Sequence, residues 1–177
     1  VAINRIPVAT KQGILGIIPQ KEVLTEFLYY LLSSFQFQSD IAKRQATGTF
    51  ATIILKNMNE IPVAIPSLAE QHQIAKQLSN LDNLITLHQC KEKEEAVRTG
   101  VPAKTLNERI LANAWEQRKF VDLYKTASEG GTPDTNVSEY YDNGKIPFVK
   151  IEDTEEKYID NVRSYITNEG LNHSSAW

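Results

Sequence analysis

One stretch constrains this chain more than any other. From Pro66-Ser67-Leu68-Ala69-Glu70-Gln71-His72-Gln73-Ile74 to about Val97 the sequence keeps helical periodicity without a break. Ser67 and Glu70 have the spacing of a capping box, in which the Ser oxygen accepts from a free backbone N–H and the Glu reaches back to the Ser amide. Pro66 ends an extended segment just before the cap. Ile74, Leu78, Leu81 and Ile85 then recur at steps of four, three and four, a heptad seam that Leu84 and Leu87 widen. About 30 residues at 1.5 Å each make a rod of roughly 45 Å. So long a rod with so narrow an apolar stripe calls for a partner helix; the plainer reading is an amphipathic helix lying on its own domain.

Composition bounds the rest. The 177 residues suit one ordinary domain or two small ones, and 41% apolar with 23% charged is the globular range. The net charge of −3 does not by itself suggest a nucleic-acid binder, but it is unevenly spread. Residues 1–65 hold six Lys/Arg against four Asp/Glu, residues 66–113 six of each, and residues 114–177 seven against twelve. The first third is mildly basic and the last third acidic. The single cysteine, Cys90, excludes an internal disulfide and a multi-cysteine metal site. No apolar run approaches a membrane span and no N-terminal signal is present, so a cytoplasmic protein is expected. The chain begins at Val1 and stops after a polar run, which suggests part of a longer protein.

Read in order, Val1–Ala2–Ile3 and Ile14–Pro19 are strand pieces separated by a turn at Lys11–Gln12–Gly13. Val23, Phe27, Leu28, Leu31 and Leu32 share one helical face, predicting a helix over 23–34, with a second near 37–42. Ala46–Thr49 reads as a loop, Thr52–Leu55 as a strand or short helix, and Ile61–Ile65 as a strand feeding the long helix. Gly100 and Pro102 interrupt the helical pattern, which resumes over 104–114. Trp115–Phe120 opens a new piece. Turns are expected at Ser128–Pro133 and at Tyr140–Lys145, where Asn143-Gly144 is the strongest signal. Ile146–Ile151 is a strand, Glu152–Glu156 an acidic loop, and Tyr158–Asp160 the start of another element. The expected fold class is α+β, with two pieces joined by a helical spacer.

Chemistry-bearing motifs are sparse. There is no phosphate-binding G-x-x-x-x-G-K-[ST] loop, no G-x-G-x-x-G and no Asn-Pro-Pro-aromatic stretch. His72, His88 and His173 are scattered, which argues against a metal or triad site. Pro133-Asp134 followed by Glu155-Glu156-Lys157 fits the short P-D…E-x-K pattern of Mg²⁺-dependent nucleases, with Asp134 and Glu155 holding metal and Lys157 polarising a water. The pattern is short, and Glu152–Lys157 reads as a loop rather than the buried strand that chemistry needs. Gly130-Gly131-Thr132-Pro133 would let backbone amides approach a phosphate, or is simply a tight turn. Lys11, Lys43, Arg44 and Lys56 are solvated surface or, with Thr47 and Thr49 between them, a DNA-facing loop.

Several of these stretches together resemble a known family. Ile65-Pro66-Ser67-Leu68-Ala69-Glu70-Gln71-His72-Gln73-Ile74 followed by Leu81-Asp82-Asn83-Leu84-Ile85 is similar to the central conserved region of type I restriction–modification specificity subunits, with its I-P-x-L-x-E-Q-x-x-I…L-D-x-x-I pattern. Ile85–Lys91 looks like the continuation of that helix. Trp115-Glu116-Gln117-Arg118-Lys119 and Gly130–Pro133…Tyr140-Tyr141…Ile146-Pro147-Phe148 resemble the start of a target-recognition domain. Ala2-Ile3-Asn4 and Phe27–Leu32 resemble the closing half of one. The resemblance covers nearly the whole chain.

It implies three parts: residues 1–65 as the C-terminal part of one target-recognition domain, 66–114 as a helical spacer interrupted near 98–103, and 115–177 as the N-terminal part of a second. Such subunits are non-catalytic and need no cofactor. They read a bipartite site in double-stranded DNA, and their long helices pair antiparallel to set the half-site spacing. They scaffold methyltransferase subunits and, through them, the motor–nuclease subunit. Polar groups at base edges give specificity and Lys/Arg on phosphates give affinity. The expected DNA contacts are Lys11, Arg44, Thr47, Thr49 and Lys56 in the first piece and Thr132 and Lys150 in the second, with more from the basic first piece than the acidic second. Ile74, Leu78, Leu81 and Ile85 would hold the helix to a partner. The alternatives are the small Mg²⁺-dependent nuclease described above and a coiled-coil module without DNA binding.

Overall fold

The apolar pieces at the start of the chain form three short strands: β1 (Ile3–Asn4), β2 (Ala9–Thr10) and β3 (Leu15–Pro19). Gly13, at φ 86, supplies the left-handed corner between β2 and β3 that a side chain would strain. In this computed structural model, which describes residues 1–44, 55–99 and 115–176 (89–99 as backbone only), the fold is α+β.

Next come α1 (Thr25–Ser33), α2 (Phe35–Arg44) and the short α3 (Leu55–Asn59). The face predicted for α1 is the buried one: Phe27, Leu28 and Leu32 are in the core, with Val23 just before them. The expected loop at 46–49 and most of the 52–55 segment lie outside the described residues, as does the expected helix over 104–114. Strand β4 (Pro62–Ile65) alternates buried Val63 and Ile65 with more open neighbours and runs into α4 (Leu68–Thr99), 32 residues long. The capping box forms: the Ser67 N–H donates to Glu70 Oε2 at 2.9 Å and the Glu70 N–H reaches Ser67 Oγ at 3.4 Å.

Beyond residue 114 the chain gives β5 (Glu116–Lys119), a 3₁₀ turn at Phe120–Leu123, β6 (Tyr124–Glu129), β7 (Ile146–Val149), β8 (Tyr158–Ile159), β9 (Tyr165–Ile166) and α5 (Asn168–Asn172). The turn expected at 140–145 is present, and Asn143 takes the left-handed conformation at φ 58.

The strand partners bear directly on the expected two pieces, which are not separate bodies here. β3 pairs antiparallel with β6, β4 antiparallel with β5, β2 parallel with β7, and β1 parallel with β8. Every one of these pairings joins residues 1–65 to residues 115–177; among the described residues only β7–β9 is internal to the later part. The main core is shared in the same way. Val23, Phe27, Leu28, Phe37, Ile61 and Val63 from the first part enclose Phe120, Leu123 and Tyr124 from the last. The physical reason is that each part alone leaves its strands as bare edges and its aromatic residues half covered. Phe120 is fully buried, with its ring 5.2 Å from that of Phe37 and 5.4 Å from that of Tyr124.

Candidate nucleic-acid interface

The parallel pair β2–β7 ends at Thr10 and Val149. Lys11 and Lys150 are the next residues on the two strands, and the Lys11 N–H extends the ladder by donating to the Val149 carbonyl at 3.1 Å. The two lysines therefore emerge side by side from one end of a sheet, one from each outer part of the chain. Both are half-buried, and no ion pair engages either amine among the described residues.

The Gly130–Pro133 loop is drawn to the same end. The Gly130 N–H donates to the Ile14 carbonyl at 3.0 Å, and a Cβ placed on Gly130 would lie 2.0 Å from the Thr10 carbonyl oxygen. Gly130 is thus needed for close approach of two backbones. Gly130 packs the loop against Thr10, Gly131 packs against Ser175, and Thr132, the next residue, is half-buried. Lys150 starts a 3₁₀ turn, and its backbone N–H donates to Asp153 Oδ2 at 2.9 Å. Asp153 Oδ1 accepts the Arg163 N–H at 3.3 Å, so this carboxylate is committed to backbone rather than aimed at the lysine.

Arg44 and Lys56 form a second, separate group. Arg44 ends α2 and Lys56 lies in α3; both are exposed. The Asn57 side chain donates to the Arg44 carbonyl at 3.2 Å, holding the two helices together at this point. Thr47 and Thr49 lie outside the described residues.

The four positions expected to hold the long helix are divided. Ile74 packs against the main core and Leu78 is half-buried, but Leu81 is 50% and Ile85 54% exposed, as are neighbouring Leu84 and Leu87. The covered face of α4, the helix that meets α1, runs through Gln71, Ile74, Ala75, Leu78, Ser79 and Asp82. It overlaps the apolar seam only at Ile74 and Leu78, and it includes polar members.

Those polar members are the residues that sequence reasoning passed over. Gln71 is 1% exposed: its Oε1 accepts the Leu24 N–H at 2.8 Å, and its Nε2 donates to the carbonyls of Glu22 at 2.9 Å and Pro66 at 3.0 Å. It caps α1, whose own N-cap residue, Leu24, offers no side-chain acceptor. Further along, the Tyr30 hydroxyl donates to Asp82 Oδ2 at 2.6 Å and accepts from Lys157 Nζ at 2.5 Å. Burial, the hydrogen bond to Asp82 and its negative charge raise the Tyr30 pKa above its ordinary value, against the Lys157 amine. Burial works against the Lys157 charge, but the bond to Tyr30 and the neighbouring negative charges leave its pKa raised.

The residues of the nuclease pattern are engaged elsewhere. Lys157 is held by Tyr30 and Asp82, and Asp134 Oδ1 accepts from the backbone and side chain of Asn136. Glu155 and Glu156 sit on an exposed bend before β8, not on a buried strand. Among the described residues no cluster of three or more His, Cys, Asp or Glu side chains is arranged to hold a metal.

Residues 1–98 match the type I restriction modification DNA specificity domain. The chain belongs to that family. Among relatives of this specificity-domain chain, the type I restriction enzyme MjaIX specificity subunit of Methanocaldococcus jannaschii is 28% identical over 171 residues, covering 85% of this chain and 38% of that protein. The type I restriction enzyme EcoR124I/EcoR124II specificity subunit of Escherichia coli is 41% identical over 166 residues, covering 87% of this chain and 38% of that protein. The chain spans about 38% of the length of the curated relatives it matches. The Glu70-Gln71 and Leu81-Asp82 pairs of the specificity domain were visible as motif letters. Their roles as a buried cap and a docking point emerge only with α1 in place.

Proposed function

We propose that this chain is a DNA-sequence-specificity element of a type I restriction–modification system and catalyses nothing itself. The observation that carries the reading is the family match across residues 1–98. In this reading residues 1–65 are the closing part of one target-recognition domain, 66–114 a spacer, and 115–177 the opening part of a second. A closing part and an opening part of the same kind of domain are complementary halves, which supports the strand exchange between them.

Lys11 and Lys150 then contact phosphate at the end of β2–β7, Thr132 reads a base edge or phosphate beside them, and Arg44, Thr47, Thr49 and Lys56 form the second contact group. The exposed Leu81–Ile85 half of the α4 seam, with Ile74 and Leu78 at its docked end, pairs with another helix in a coiled coil. Recognition in the assembled system is of a bipartite duplex site. Methyltransferase subunits dock on the helical spacer and connect it to the motor–nuclease subunit, in the cytoplasm. No helix among the described residues is long and apolar enough to cross a membrane.

The test is a gel-shift titration of duplex DNA with the chain and its methyltransferase subunit, at low and moderate salt. Binding should fall steeply with salt, and Lys11→Ala with Lys150→Ala should flatten the log–log slope by roughly 2, about 0.9 for each phosphate contact removed. Binding that is absent at low salt, or a slope unchanged by the double substitution, would refute this placement of the contacts.

A further inference from the structure

The hydrogen-bonded group Tyr30–Asp82–Lys157 draws one residue from each of the three stretches of the chain: α1, α4 and the loop before β8. Tyr30 is the centre, donating to Asp82 at 2.6 Å and accepting from Lys157 at 2.5 Å, while the Lys157 amine stands 3.6 Å from Asp82 Oδ2. Lys157 is only 17% exposed along its side chain and lies over the Tyr30 ring at 4.3 Å and near those of Tyr29 and Tyr158 at 5.1 and 5.4 Å. Tyr29 and Tyr30 meet edge to face at 5.1 Å. A flexible amine so enclosed is pre-positioned, not a mobile surface charge.

Its place along α4 gives the group its consequence. Before it, Gln71, Ala75 and Leu78 hold the helix to the body; after it, Leu84, Ile85 and Leu87 are open. Asp82 is therefore the last point at which described side chains of α4 grip the body. A small angular freedom at that point becomes a large displacement at the far end, because on the order of 17 further residues extend about 25 Å beyond it.

We infer that Tyr30, Asp82 and Lys157 form a strut that fixes the direction in which α4 leaves the folded body. They are positioning residues: whatever docks on the distal half of α4 is held at an angle set by this group. That consequence for a docked partner rests on the function proposed above; the strut itself does not.

The experiment reads the angle directly, without DNA or partner. In the full chain carrying Cys90→Ser, spin labels at His88→Cys and Lys125→Cys report the distance between α4 and the body by pulsed electron resonance. The parent should give one narrow distance distribution. Tyr30→Phe removes one oxygen and keeps the ring, and it should at least double the width or shift the mean, with far-UV circular dichroism unchanged. Lys157→Met should do the same and Lys157→Arg should restore the narrow distribution, whereas Glu60→Gln, which breaks the exposed pair with Lys119, should leave it alone. Distributions as narrow as the parent's in folded Tyr30→Phe and Lys157→Met would overturn the inference. Should either variant lose its fold, Asp82→Asn decides, because it keeps the side-chain shape and removes the charge: a distribution as narrow as the parent's would also overturn the inference, and a broadened or shifted one would support it.

Discussion

At the scale of single residues, Gln71 shows how much a polar side chain can hold in place. Hydrophobic periodicity treats it as a gap between Ile74 and the cap, yet its amide satisfies one backbone N–H and two carbonyls at the junction of β4, α1 and α4. No buried side-chain N or O among the described residues is left without a partner. Buried polar groups tolerate loss of a partner poorly, because the group left behind has neither protein nor water to bond. Gln71→Leu keeps the volume and strands three backbone groups, so it should cost roughly 2–4 kcal/mol. Gln73→Leu, two residues away on the exposed face, should stay within about 0.5 kcal/mol. Urea unfolding of the two variants against the parent measures the difference; equal midpoints would mean that Gln71 is not the cap described.

Among the elements, α4 was the most legible in the sequence and for a physical reason. Its start rests on local chemistry, the Ser67–Glu70 box, and its length on a continuous 3.6-residue pattern, neither of which needs a distant partner. The hydrogen bond from the Ser67 hydroxyl, at 2.7 Å, and that from its backbone N–H hold the Glu70 carboxyl below the usual range. A carboxylate depressed in this way stabilises the helix start above its unfolded pKa of about 4.3, and the contribution is lost as pH falls through the lower folded value. The helical circular dichroism of the parent should therefore exceed that of Glu70→Gln at pH 7 and converge with it in acid. Ser67→Ala should cost about 1 kcal/mol near neutral pH. Convergence that fails to appear would assign the cap to another group. What α4 docks against was not legible. The apolar count selects Leu81 and Ile85, whereas the docked face includes Gln71 and Asp82, whose value lies in hydrogen bonds that periodicity does not weigh. The basic pair Lys11 and Lys150 was nameable one residue at a time, but its adjacency depends on β2 and β7 pairing across most of the chain.

At the scale of the whole molecule, strands of two to six residues specify a face and leave the partner open, and so the sequence suggested two pieces where the structure interleaves them. The shared core makes a demand that separate pieces would not. Phe120 comes from the later part, is fully buried, and packs between Phe37 of α2 and Tyr124. Truncating it opens a cavity in the cluster that also holds Val23, Phe27, Leu28 and Ile61, at a cost of about 3–5 kcal/mol. That is a large share of the stability of an ordinary domain, about 5–15 kcal/mol. Trp115 lies in the later part of the chain, while the long helices α1, α2 and α4 belong to the earlier stretches, so fluorescence and far-UV circular dichroism follow residues from different parts of the sequence. In urea, Phe120→Ala should lower the midpoint seen by both probes, and by the same amount, because neither side keeps its core without the other. A fluorescence midpoint that falls while the helical signal keeps its own would show two independently folding pieces, and the strand exchange would then add little to the stability of either.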